Sequence, residues 1–334
     1  MSNAEVLQAV RSGAGLESLD NLAIPHPSGR LIVTRIGLRA SIKFQNGHSP
    51  EKRQATLRVM RSYWDVFKDH ITHWLPPNPK QQRLQRVSPG QYPVTDTPEE
   101  LSDLDESFDL EFFGFLKGQK NTEPSLYHAS VLCLPQDEGK KNSYFEACIP
   151  LSWAVSYGFD SVRELVRNWS SILEAVHGTA GISLLFADTT EDLPYSYFLL
   201  KKFPGIDFED SSLFSVQVNS PRSGGVKPFK IRSVSWLTIL GTRIVEELGG
   251  VQKMAAELGP GCPIFHYSGG IIIQAMPVPE LGSTEDGLIP EGYRRVAKVT
   301  KPVRFEEYTR GLFRNLPSPL DELEETLIWL RRFD

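Results

Sequence analysis

Residues 108–149 read FDLEFFGFLKGQKNTEPSLYHASVLCLPQDEGKKNSYFEACI, and the spacing of apolar runs and turns in this stretch decides the fold class. Segments 108–116, 126–134 and 143–149 are short runs of strand length rich in aromatic and β-branched residues, which predicts three strands. The polar run from Gln136 to Asn142 is the turn between the last two, so the three form an antiparallel meander. On a symmetric turn Cys133 and Cys148 would lie nearly opposite one another on neighbouring strands.

Upstream, Leu31-Ile32-Val33-Thr34-Arg35-Ile36-Gly37-Leu38 and Ile42-Lys43-Phe44 predict one or two strands over 29–44. From Pro50 to Leu75, Val59, Met60, Tyr63, Trp64, Phe67, Ile71 and Trp74 recur at three- and four-residue steps and Pro76-Pro77 follows, which predicts one amphipathic helix. The Pro-rich stretch 78–97 reads as a connector. It divides an N-terminal strand–helix region and connector, 1–95, from a C-terminal α+β region, 96–334, as two closely associated lobes or one continuous domain.

Downstream, 160–177 predicts a second amphipathic helix with Gly178 as its stop, followed by a strand over 181–187. A short helix near 195–202, glycine-bounded segments 233–241, 242–248 and 251–258, a strand over 270–276 and helices near 291–299 and 321–332 complete the chain. Strands and helices come in separate runs, which favours an α+β fold of antiparallel sheets with packed amphipathic helices over a doubly wound parallel sheet.

Composition narrows the function. The 334 residues are 40% hydrophobic and 23% charged, so the chain should bury a sizeable core. A net charge of -5 argues against the excess of Lys and Arg that a phosphate-binding surface needs, so nucleic acid is not an expected partner. The first twenty residues have no apolar h-region and the most apolar run, 269–276, is only of strand length, so neither an export signal nor a membrane span is expected. Cys133, Cys148 and Cys262 are odd in number without a CxxC spacing, which fits free thiols in a cytoplasmic, reducing setting.

No catalytic set emerges. The run Gly114-Phe115-Leu116-Lys117-Gly118-Gln119-Lys120 has its glycines one residue too close for a phosphate loop. Ser268 follows a His-Tyr pair and precedes a strand, unlike a nucleophile elbow. Glu138-Gly139-Lys140 has half of a nuclease-type carboxylate–lysine pattern but falls in a turn that could not hold it rigidly. His70 and His73, three apart on the predicted helix, offer the one metal-ligand spacing, and a metal-dependent hydrolase built on them is the alternative reading. No cofactor is expected.

The acidic run stands out. Asp96, Glu99, Glu100, Asp103, Asp105, Glu106, Asp109 and Glu111 occur with no Lys or Arg between Arg86 and Lys117. Such a run is either a solvated face or a docking surface for a basic partner.

In the C-terminal third, Val234-Ser235-Trp236-Leu237-Thr238-Ile239-Leu240-Gly241, Leu248-Gly249-Gly250 and Gly269-Gly270-Ile271-Ile272-Ile273-Gln274-Ala275 occur in order. Pro277, Pro279, Gly282, Pro290, Tyr293, Val296, Pro302, Val303 and Arg304 follow. This order of landmarks over 232–305 resembles a bacterial family of type VI secretion immunity proteins associated with VRR-NUC nuclease effectors, and the opening strand and helix are more loosely similar. The resemblance implies a non-enzymatic protein that neutralises a cognate toxin, a nuclease, by occluding its active site or DNA-binding groove. Glu99, Glu100, Asp103, Asp105, Glu106, Asp109 and Glu111 are the candidate partner-binding residues.

Overall fold

The strand Phe108–Gly114 (β5) alternates buried and half-buried residues along its whole length. Phe108, Leu110 and Phe112 enter the core, while Asp109, Glu111 and Phe113 take the other face, as a period of two requires. The computed structural model describes residues 15–77, 83–94, 101, 103–187, 189–209 and 211–334. Strand β5 pairs antiparallel with Tyr127–Cys133 (β6), which pairs with Ser143–Ile149 (β7), so the meander forms as its turns dictate. Strand β7 pairs with the thirteen-residue strand Ile32–Phe44 (β2), and β2 pairs on its other side with His177–Phe186 (β8).

Beyond β8 the sheet adds Leu237–Gly241 (β10), Gly270–Gln274 (β12) and Ile264–Tyr267 (β11), each antiparallel to its neighbour. Beyond β5 it adds His73–Leu75 (β3) and Gln85–Arg86 (β4). Ala23–Pro25 (β1) pairs with β2, and Asp207–Phe208 (β9) pairs with β8 as the one parallel pair among the described strands. Strands from both sides of residue 95 therefore share one twelve-stranded sheet, and the α+β class expected from separate runs of strands and helices is what forms.

One sheet face is covered by helices. Pro50–Phe67 (α1) begins at Ser49, whose hydroxyl accepts from the Lys52 N–H at 3.3 Å, with Pro50 at the first helical position. It buries Val59, Met60, Tyr63, Trp64 and Phe67, each worth about 1.5–3 kcal/mol against exposure. Leu151–Tyr157 (α2) takes its N-terminal N–H groups of Leu151 and Ser152 to the Asp20 carboxylate, both at 2.8 Å. Phe159–Leu173 (α3) sets Trp169 edge-on to Phe145 at 5.3 Å. Tyr63 closes this layer by donating its hydroxyl to the Cys148 carbonyl at 2.9 Å.

Three sequence expectations are corrected. The helix predicted over 50–75 ends at Phe67, because the Thr72 N–H donates to the Phe113 carbonyl at 2.8 Å and draws the following residues into β3. Pairing to a sheet edge thus overrides a helical periodicity that Ile71 and Trp74 continue. Gly178 does not stop a helix: α3 ends at Glu174 in the left-handed region, and Gly178 lies inside β8, where an added Cβ would sit 2.3 Å from the Ser41 carbonyl oxygen. Cys133 and Cys148 are not opposite: the register pairs Cys148 with His128, and the two thiols occupy opposite faces of the sheet. A bridge between them is sterically impossible without rebuilding β6.

Two outcomes follow. Gly178→Ala forces two paired backbones apart, so the urea midpoint should fall by the equivalent of about 1–3 kcal/mol with the m-value unchanged. Thiol titration of denatured protein prepared without oxidant should find all three cysteines free, and a native bridge between residues 133 and 148 would contradict the register.

Candidate partner-binding surface

The other sheet face is organised by register, because directly opposed residues point the same way. One row runs Phe113, His128, Cys148, Arg39, Gly181; the next Glu111, Ser130, Glu146, Ser41, Thr179; the third Asp109, Leu132, Tyr144, Lys43, His177. Along each row the environment changes. Asp109, Glu111, Phe113, His128, Leu132 and Tyr144 are half-buried, whereas Glu146, Ser41, Lys43 and His177 are fully covered.

The covering segment is Glu209, Ser211–Val218 (α4), Arg232 and the helix Glu322–Leu330 (α5) with Arg332 beyond it. Beneath it lies a continuous ion network. Arg39 pairs with Glu146, and the Ser211 hydroxyl stands within hydrogen-bond reach of both Glu146 and Glu209. Lys43 Nζ reaches Glu209 at 3.3 Å and Ser41 Oγ at 3.0 Å, and Arg232 Nη2 bridges Glu209 at 3.1 Å and Asp207 at 2.9 Å. Burial works against the charge on Glu209, but Lys43 and Arg232 outweigh it and hold its carboxyl down at about 2. Glu146 is likewise lowered, by Arg39 and Lys43 against burial. Burial, with Lys43 nearby, pushes His177 down to about 3, so it is neutral.

Perturbed groups often mark catalytic sites, yet this cluster encloses a cavity of only about 20 Å³, space for one water and no substrate. The network is architectural. It ties β2, β7 and β8 to the C-terminal cover through groups that cannot be buried unpaired.

The acidic run divides between two settings. Glu99 and Glu100 lie outside the described residues, as does Asp96. Asp103, Asp105 and Glu106 are exposed on the loop entering β5. That loop is pinned from below by Arg53 of α1, fully buried, whose guanidinium donates to the Asp103 carbonyl and to the Glu106 carbonyl at 2.6 Å. Asp109 and Glu111 stand on the strand itself. Burial, with Glu111 beside it, raises the Asp109 carboxyl above its ordinary value. Glu111 Oε2 accepts from His128 Nε2 at 2.9 Å. Burial disfavours the imidazolium, but hydrogen bonding with Cys148 and Glu111 outweighs it and pushes His128 up to about 9.

His70 and His73 are not brought together as the helical spacing requires. His70 sits in the turn after α1, stacked on Tyr127 at 4.3 Å. His73 lies in β3, its Nδ1 2.9 Å from Thr72 Oγ1 and its ring edge-on to Phe115. Among the described residues no group of three His, Cys, Asp or Glu is placed to hold a metal ion. The half-buried aromatic and apolar members of the surface, Phe113, Leu132 and Tyr144, were not singled out from the sequence. Strand alternation carries that signal, but only the register shows which alternate sets coincide.

The surface is therefore acidic along β5 and its entering loop, with Phe113 next to Glu111 along the strand, Leu132 opposite Asp109 and Tyr144 one strand further on. A family described as type VI immunity for VRR-NUC matches residues 55–333, and the chain belongs to that family. A solved Pseudomonas aeruginosa T6SS protein, PA0821, shares the fold at a TM-score of 0.77 and 21% identity, over 99% of this chain and 91% of that one. No curated protein matches the chain. Among the described residues no helix is long and apolar enough to cross a membrane.

The two histidines set opposite pH dependences. His128 has a raised value, so its contribution to stability is complete below about 6.5 and is lost as pH rises through about 9. His177 is depressed, so its contribution is complete above 6.5 and is lost as pH falls towards about 3, while that of Glu209 is lost between about 4.5 and about 2. The melting temperature should decline from pH 6.5 to 9 in the wild type. His128→Gln should flatten that limb and leave the acid limb in place; an unchanged alkaline decline would show that His128 does not carry it.

Proposed function

We propose that the immunity role of this family is exercised here by direct, stoichiometric binding of a cognate nuclease toxin in the cytoplasm. In this reading the acidic surface occupies the toxin's active site or DNA-binding groove, without turnover by the immunity protein itself. Membership of the family carries the proposal. The acidic surface supports it, because a nuclease presents a basic groove to DNA and carboxylates can take the place of phosphates there.

Charge alone does not protect a cell. A useful inhibitor needs a Kd of about 1 nM, about -12 kcal/mol, and hence an interface of roughly 1,600 Å² with desolvated anchors inside a polar rim. The surface offers both kinds of group. Phe113, next along the same face of β5 from Glu111, and Leu132, opposite Asp109, are half-buried, while Asp103, Asp105 and Glu106 form an exposed rim. The pinning of the loop by Arg53 lowers the entropy lost on docking.

Replacing Asp103, Asp105, Glu106 and Asp109 with Asn or Gln keeps size and polarity, so the fold should survive. Association with its cognate VRR-NUC nuclease should slow by roughly ten-fold or more at low salt. The deficit should shrink as the Debye length falls from about 10 Å at 0.1 M to about 3 Å at 1 M salt. Dissociation should change less. A wild-type association rate at low salt, with protection intact, would mean that these carboxylates are only a solvated face and that the toxin docks elsewhere.

A further inference from the structure

The ion network under the C-terminal cover is not balanced. Among the described residues, four covered cations, Arg39, Lys43, Arg232 and Arg332, face three carboxyl groups, Glu146, Asp207 and Glu209. No side chain of the seven is more than 13% exposed. Burial and the nearby Arg232 bring the Arg332 guanidinium down to about 9 against the pull of Asp207, so at neutral pH it keeps its proton. One positive charge is left over in an interior where an uncompensated charge is costly.

Hydrogen bonding at Arg232 is incomplete in the same place. Its Nη2 serves Asp207 at 2.9 Å and Glu209 at 3.1 Å, while its buried Nη1 has no hydrogen-bond partner among the described residues. Ser233, the next residue, also keeps a buried hydroxyl without one. Both residues are walls of the cavity of about 20 Å³, which Lys43, His177, Thr179 and Glu209 also line. Glu209 is the one carboxylate on that wall, and its oxygens are already engaged by Lys43 at 3.3 Å and by Arg232 Nη2. What the wall still offers is therefore donors. His177 stays neutral there because burial, with Lys43 and Arg232 nearby, disfavours a further positive charge. A void that holds one water holds one monatomic ion of similar size. Water would satisfy the donors but leave the surplus charge in place, whereas an anion answers both.

We propose that this cavity binds a single chloride ion, held by Arg232 Nη1 and the Ser233 hydroxyl in the field of Lys43. The ion completes the charge balance of the network and fastens the C-terminal cover to β2 and β8. It acts on stability, away from the acidic surface of β5.

Full-length protein should be melted at fixed pH and ionic strength while sodium chloride replaces sodium acetate, whose anion is too large for the cavity. Because a ligand of the folded state stabilises it by mass action, Tm should rise by roughly 2 °C or more along a saturating curve. Crystals grown in sodium bromide should show one anomalous scatterer within reach of Arg232 Nη1 and Ser233 Oγ. Ser233→Ala removes one donor and leaves every ion pair in place, so it should raise the half-saturating chloride concentration by about three-fold or more. The wild-type melts and the bromide map need no variant. A Tm that does not saturate with chloride or does not respond to it, bromide bound only at the outer surface, or a folded Ser233→Ala protein with the wild-type chloride curve would each overturn the proposal.

Discussion

Two cations at alternate positions of a central strand, Arg39 and Lys43, cannot be buried alone, and much of the molecule answers that constraint. Both point from β2 to the face opposite the helices, at the middle of a twelve-stranded sheet. Desolvating either without a counter-charge costs several kcal/mol. The meander supplies Glu146, the segment after β9 supplies Glu209, and Glu209 in turn requires Arg232 and, through it, Asp207. Arg332, beyond the last helix, approaches Asp207 at 4.0 Å. Residues nearly three hundred positions apart are thus committed to one another by charge, alongside the apolar packing of Phe208, Phe214 and Trp329 under the same cover.

The same arrangement explains why the open half of the sheet exists. Counter-charges draw the C-terminal cover over β2 and β8, where the cations are, and β5 and β6 place no cation on that face except the His128 imidazolium that Glu111 satisfies. The rows therefore run from a sealed ionic interior to a half-buried rim of carboxylates and rings. A surface built on paired strands is stiffer than one built on loops.

Much of the architecture was legible because it rests on local rules. The meander, the long strand through Ile42, the helix from Pro50, the helix through Trp169 and the strand through Ile272 all announce themselves by periodicity and by Gly or Pro punctuation. What was illegible depends on long-range pairing. Ile71 and Trp74 continue a helical period, yet the edge of β5 claims them. Gly178 looks like a helix stop, yet its lack of a side chain serves close packing against β2. The acidic run reads as one continuous feature, but an exposed loop holds Asp103, Asp105 and Glu106 while β5 holds Asp109 and Glu111 among rings contributed from elsewhere. No sequence rule gives the register that puts His128 beside Cys148.

Strand β5 keeps two alphabets in one segment. Phe108, Leu110 and Phe112 spell the core, and Asp109, Glu111 and Phe113 spell the outward surface. Because their side chains lie on opposite sides of the sheet, exchange of a letter in the second set leaves the first set's packing untouched. Such a strand can drift rapidly in what it displays while its fold stays put. That separation lets one scaffold be re-addressed by single substitutions, and a structure only 21% identical keeps the same fold.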